Sequence, residues 1–153
     1  MAGLMELIAE AHVFAEKTGL PSETLERLLE LNFGTVAHSD STRMTTGVYL
    51  PARGQAPWSD LNLALKDVGH GVEIGARAGA PLPVGELALA HLRRAKAYAE
   101  EEEEEEEEEE AGKKKENTTG GPRALDSSSL YGVVRQDAGL DFRTELVKKR
   151  DRE

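Results

Sequence analysis

The sequence predicts an all-α fold, and three observations carry that prediction. Several stretches place apolar residues at steps of three and four, the spacing of one helical face. No segment alternates apolar and polar residues over five or more positions, as a half-buried strand does. Glycine and proline fall between the periodic stretches, where they end one helix and begin the next.

The stretch 60–79, DLNLALKDVGHGVEIGARAG, reads as the central helix of the domain. Leu61, Leu65, Val68 and Val72 form one face, and Lys66, His70, Glu73 and Arg77 another. Gly69, Gly71 and Gly75 each cost about 1 kcal/mol relative to alanine, so another backbone or a ligand is expected to approach a face bare of side chains.

Upstream, residues 1–19 open in helical pattern without a capping residue, as if in the middle of a longer helix. Leu4, Leu7, Ile8, Ala11, Phe14 and Ala15 make the expected buried stripe, and Gly19 and Pro21 end the helix. Ser22 is placed to cap a second helix that buries Leu25, Leu28, Leu29 and Phe33 and closes at Gly34. A polar segment around Asp40 follows, with room for a short helix through Met44, and residues 47–58 read as a loop. Downstream of the central helix, Pro83 starts a helix with Val84, Leu87, Ala88, Leu92, Ala95 and Tyr98 on its stripe. Its glutamate-rich extension is expected to fray through self-repulsion. Residues 113–122 read as linker, and Asn117-Thr118-Thr119, a glycosylation sequon by pattern, reads as part of it. Asp126 to Ser129 offer caps for a last core helix carrying Leu130, Val133 and Val134, and the charged end reads as a solvated helical tail.

Composition narrows the functional classes. The net charge of −10 comes from eleven consecutive glutamates at 100–110, and removing them leaves +1. A nearly neutral body gives no argument for nucleic acid or an anionic membrane as partner. The absence of cysteine excludes disulfides, thiolate zinc and thiol nucleophiles. No apolar run of membrane-spanning length exists and no basic region precedes an apolar one near Met1, so the expected location is cytoplasmic.

Few patterns carry chemistry. Gly69-His70-Gly71 with Gly75 misses the dinucleotide fingerprint in spacing and lies inside a helix instead of opening one. His12, His38, His70 and His91 are scattered, without metal-ligand spacing, and Ser127 to Ser129 have no neighbouring base. Lys66-Asp67 is the one suggestive pair. By itself it fits a solvated helix face, and the glycines just downstream open the surface beside the lysine.

Three segments add a resemblance: GLMELIAEAHVFAEKTGLPSETLERLLELNFG, DLNLALKDVGHGVEIGARAGAPLPVGELALAHLRRA and SSSLYGVVRQDAGLDF. Together they resemble the C-terminal helical domain of the β-hydroxyacid dehydrogenases, the group that includes 3-hydroxyisobutyrate dehydrogenase and is related to 6-phosphogluconate dehydrogenase. The most diagnostic piece, LxLKDxxxxxxxAxxxGxPLP, is met at Leu63, Leu65, Lys66, Asp67, Ala76 or Ala78, Gly79 and Pro81-Leu82-Pro83.

The resemblance implies a helical bundle like the C-terminal domain of 6-phosphogluconate dehydrogenase, which covers the cofactor and builds the oligomer. The implied divisions are 1–99 for the main helical part, 100–123 for an acidic insertion, 124–142 for the last core helix and 143–153 for the charged tail. Lys66 would approach the nicotinamide end of NAD or NADP, with Asp67 in support, and no metal is implied. The family's catalytic lysine lies in a segment resembling GxxxKxxxN, which would precede Met1, so no catalytic residue is assigned. The chain is thus expected to lack the Rossmann domain and to be inactive alone, with that domain or further copies of itself as partner and a small hydroxyacid as substrate of the intact enzyme. The alternative is a free-standing helical protein-interaction module. One departure stands out: members often carry an aromatic residue seven positions before the lysine, where this chain has Ser59 beside Trp58.

Overall fold

A computed structural model describes residues 1–112 and 123–153, with side chains of 105–112 outside the description. Six α-helices and one short 3-10 helix make an all-α bundle, with no strand among the described residues. The linker reading and the sequon at Asn117 lie outside the described residues.

Helix α1 (Ala2–Thr18) ends where Gly19 adopts a left-handed conformation, φ 78°. That is the terminus expected of a glycine, which meets no Cβ clash there. The buried face is rotated from the expected stripe. Met5, Ile8, Ala9 and Val13 enter the core together with the polar Glu6 and His12, while Leu7 and Phe14 stay 62% and 67% exposed. Glu6 and His12 find side-chain partners inside the bundle, so hydrophobicity alone misjudges which side faces in.

Helix α2 (Ser22–Thr45) runs through a break at Gly34 (φ 72°, ψ −167°), the predicted end of its first half. Ser22 is not its cap. Pro21 occupies that position, and the Ser22 hydroxyl instead lies 3.4 Å from His12 Nδ1. Phe33 is exposed rather than buried, because the first half covers the core through Leu29 with Leu25 in part, and the second half through Ala37 and Met44. The loop beyond is more than a connection. Tyr49 and Leu50 are fully buried, and the Tyr49 hydroxyl donates to Phe142 O and accepts from Thr144 N, both at 2.9 Å.

Helix α3 (Leu61–Arg77) is capped by Asp60, whose carboxylate accepts from the amides of Asn62 and Leu63. It lies at the edge of the bundle, not at its centre. Only Leu61 is fully buried, and the helix packs on α4 and the 3-10 helix. Of its three glycines, Gly75 has the steric reason anticipated: a Cβ there would sit 2.7 Å from Ala80 O, where the chain turns into α4. Beside Gly71 the space is open.

Helix α4 (Pro83–Gly112) buries Ala88, Leu89, Leu92 and Ala95 and continues past the expected fraying point. The start of the glutamate run is tied down. Glu102 pairs with Arg143 and accepts from Tyr98, and Glu103 accepts from the amide of Arg123. Asp126 then caps the 3-10 helix (Ser127–Ser129), and α5 (Leu130–Asp137) follows deep in the core. The Tyr98 and Phe142 rings stack at 3.8 Å. The charged end is no solvated tail: α6 (Glu145–Arg150) buries Val147, and Arg150 donates to the carbonyls of Gly47 and Leu50. Among the described residues no helix is long and apolar enough to cross a membrane.

Candidate functional site

Asp60 starts α3 so that Lys66 and Asp67 project from its outer side. Their side chains are 56% and 72% exposed, and the ammonium lies 3.3 Å from Asp67 Oδ1. An exposed pair of this kind is worth about 0–1 kcal/mol, so a ligand can draw the ammonium away at little cost. Between α3 and α4 runs an open groove of about 520 Å³, edged by Lys66, His70, Glu86 and Arg93 and floored by Gly69 and Leu89. Glu73, at its rim, pairs with Arg77 at 3.7 Å on the helix surface. The structure therefore brings His70 and Arg93 to the lysine that the sequence singled out.

On the other side of α3, next to Ala64 and Val68, lies a pit of about 250 Å³. Its walls are apolar, with Met1, Met5, Leu92 and Leu130 among them, and Asp40, Arg43, Ser59 and Ser127 make a polar end. The guanidinium of Arg43 holds that end together. It donates to Asp126 at 3.1 Å, to Ser127 Oγ at 3.4 Å and to Asp40 Oδ1 at 3.4 Å. Asp126 also accepts from the amide of Ser59 at 2.8 Å and from Ser128. Burial pushes the Asp40 carboxyl above its ordinary range, and Arg43 and the amino group of Met1 pull it back in part. Sequence reading saw Asp40 and Arg43 only as a polar stretch, and nothing in it signals that Asp126 arrives from across the bundle. Ser59, at the position where the family often carries an aromatic residue, lines this pit, with Trp58 turned out at 63% exposure.

The other histidines serve the framework. His12 meets Ser41 at 2.8 Å, and burial lowers its pKa. His38 lies near Glu26. His91 bridges three helices, with Nδ1 2.7 Å from Glu6 on α1 and Nε2 3.6 Å from Asp137 on α5. No group of three or more His, Asp or Glu able to hold a metal ion occurs among the described residues.

Residues 1–108 match the family model described as NAD-binding of NADP-dependent 3-hydroxyisobutyrate dehydrogenase. The chain belongs to that family. The NADH-dependent oxidoreductase ucdB of Aspergillus ustus is 32% identical over 141 residues, covering 92% of this chain and 41% of that protein. The chain thus spans about two fifths of the length of that relative. Membership in a 3-hydroxyisobutyrate dehydrogenase NAD-binding family accords with the KD pattern at Lys66-Asp67 and with the helical bundle around it.

Proposed function

We propose that this chain is the cofactor-covering half of an NAD(P)-dependent hydroxyacid dehydrogenase, working against a Rossmann domain that holds the dinucleotide. The observation that carries the reading is Lys66: a cation on an open helix face, paired with its sequence neighbour Asp67, in a family that binds NAD. Lys66 would present its ammonium to the nicotinamide end of the cofactor, and Asp67 would orient it. Closure against a second domain expels water, which strengthens a charge contact that is weak while α3 is solvated. The fit is local. These residues suit one end of the dinucleotide, since among the described residues no glycine-rich loop opens a helix after a strand. The cofactor supplies hydride transfer. In this reading the chain binds, orients and shields. Alone, it is expected to leave small hydroxyacids unchanged.

The test is a fusion of a Rossmann domain from the same family ahead of Ala2, with NADH binding followed by fluorescence. Lys66→Ala should weaken binding or lower kcat/KM by about tenfold or more, the equivalent of about 1.4 kcal/mol. Unchanged cofactor binding and turnover in Lys66→Ala would overturn the reading. A second reading, a helical protein-interaction module or homo-oligomer surface, draws on the exposed apolar residues Leu28, Leu31, Phe33 and Val36 of α2. Light scattering separates the two, because only the second reading requires association without a Rossmann partner.

A further inference from the structure

We infer that Asp60 and Asp126 are positioning residues for Lys66: the bridge they form fixes where α3 starts, and so where the lysine stands. The inference rests on the reading of Lys66 given above and adds to it the two residues that hold the lysine in place.

Two helices start from one point. Asp60 and Asp126 are both extended and face each other as a single antiparallel bridge. Around it, Leu61 N donates to Leu125 O at 3.0 Å and Ser127 N donates to Ser59 O at 2.7 Å. Each aspartate also caps the helix that follows it. Asp60 Oδ1 accepts from the amides of Asn62 and Leu63 at 2.8 and 3.1 Å, and Asp126 Oδ1 from the amide of Ser128 at 2.9 Å. The second oxygen of Asp126 reaches across the bridge and accepts from Ser59 N at 2.8 Å. Asp126 is fully buried, and Arg43 supplies its counter-charge at 3.1 Å, so this carboxylate has a fixed place.

Little else fixes the first half of α3. Leu61 is its one fully buried residue, and Leu65 and Val68 are half-buried. A Cβ on Gly69 would come no nearer than 4.0 Å to Leu89, and the next close stop is Gly75 against Ala80 O. Lys66 lies about 7.5 Å along the axis from Leu61. The amides of Leu65 and Lys66 bond back into the first turn, so fraying that turn releases the backbone of the lysine itself. A flexible lysine stem leaves its orientation to the backbone beneath it, and a site whose supporting residues are loose is a weak one.

The first measurement uses the full 153-residue chain. Asp60 is half-buried, so Asp60→Ala removes the cap and leaves the core alone. Hydrogen exchange read by NMR should speed up about fivefold at Leu65 and Lys66, the effect of losing a cap, with α1 and α5 unchanged. Asp60→Asn, which caps equally well, should restore the slow rates.

The second measurement uses the Rossmann fusion described above. Asp60→Ala should weaken NADH binding about threefold when Lys66 is present, and less than about 1.5-fold when combined with Lys66→Ala. A residue acting through the lysine has nothing to act on once the lysine is gone, whereas a merely structural residue costs the same in both backgrounds. Asp126→Ser still caps the 3-10 helix but cannot reach Ser59, and should weaken binding about fivefold, again only with Lys66 present. Where circular dichroism shows that variant to be unfolded, the Asp60 variants decide. Unchanged exchange at Lys66, equal losses in both backgrounds, no rescue by Asp60→Asn, or a folded Asp126→Ser that binds NADH normally would overturn the inference. Those results leave the role of Lys66 standing wherever Lys66→Ala alone weakens binding. A Lys66→Ala fusion that binds NADH normally would overturn both.

Discussion

Helix α3 and the segment 126–135 are opposites in sequence and in structure, and each is the reverse of what its composition foretells. Helix α3 carries a regular apolar stripe, yet only Leu61 is fully buried; Leu65, Val68 and Val72 are half-buried, and Leu63 and Ile74, off the stripe, face solvent. The segment after Asp126 holds three serines and an arginine, yet Ser127 to Arg135 is buried without interruption. Its polar groups are admitted because partners are ready for them. Asp126 accepts from Ser128, Arg43 reaches Asp126 and Ser127, and Arg135 is clamped by Glu16 and by the carbonyl of Asp141. Satisfied polar groups cross into a core at small cost, whereas a helix at the edge of a bundle covers its apolar stripe only in part. The segment 126–135 therefore holds the bundle together, and α3 leaves one side open to solvent.

The strongest way to break that contrast is to remove the charge at the centre of the buried side. In Arg43→Ala, Asp40 and Asp126 remain buried without their shared cation. The expected loss is about 3–5 kcal/mol, the range seen when one member of a buried ion pair is deleted. Urea denaturation followed by circular dichroism measures it. A loss under about 1 kcal/mol would mean that water reaches the two carboxylates freely and that the polar core does not organise the fold.

How much of this was legible depends on the range of the interactions. The all-α class, the left-handed Gly19 and the break at Gly34 are encoded within a few residues, and periodicity and turn chemistry show them. The rotation of α1 was hidden. It depends on Glu6 meeting His91 and His12 meeting Ser41, pairs 85 and 29 residues apart whose worth no local pattern carries. The docked tail was hidden for the same reason: its charges look solvated until Arg150 is seen to reach Gly47 and Leu50. Of the candidate site, Lys66 and Asp67 were legible through the motif, and Ser59 as a departure from it. The pit was not legible, because five separate segments of the chain build it.

A middle-sized effect separates Glu102, Glu103 and Arg123 from the rest of the acidic stretch. Deleting 104–122 and joining the ends through a short Gly-Ser linker should be close to neutral, since loop closure costs only about 0.6 kcal/mol per doubling of length. Deleting 100–123 instead also removes Glu102, which holds Arg143 and Tyr98. It removes Arg123 as well, whose buried guanidinium donates to Pro51 O and to Asp151. The longer deletion should cost about 1–3 kcal/mol more than the shorter one, as expected for lost hydrogen bonds to charged groups. Thermal unfolding of the two proteins side by side decides it. Equal midpoints would show that the start of the glutamate run contributes nothing to the fold.

The smallest effect lies on α3 and is the most informative about function. Leu63→Ser and Ile74→Ser replace residues that are 57% and 58% exposed, so each should change the stability of this chain by no more than about 0.5 kcal/mol. In the fusion with a Rossmann domain the same substitutions should matter more. An apolar side chain covered by a partner contributes about 1.5–3 kcal/mol when fully buried, and part of that is lost on replacement by serine. The comparison is thus between two differences, one measured in the isolated chain and one in the fusion. Equal small effects in both would leave α3 uncovered in the larger protein and would shift the burden of domain contact to α2. A large destabilisation in the isolated chain would show instead that α3 is already packed against something in solution, and a second copy of the chain, detectable by light scattering, would be the partner to seek.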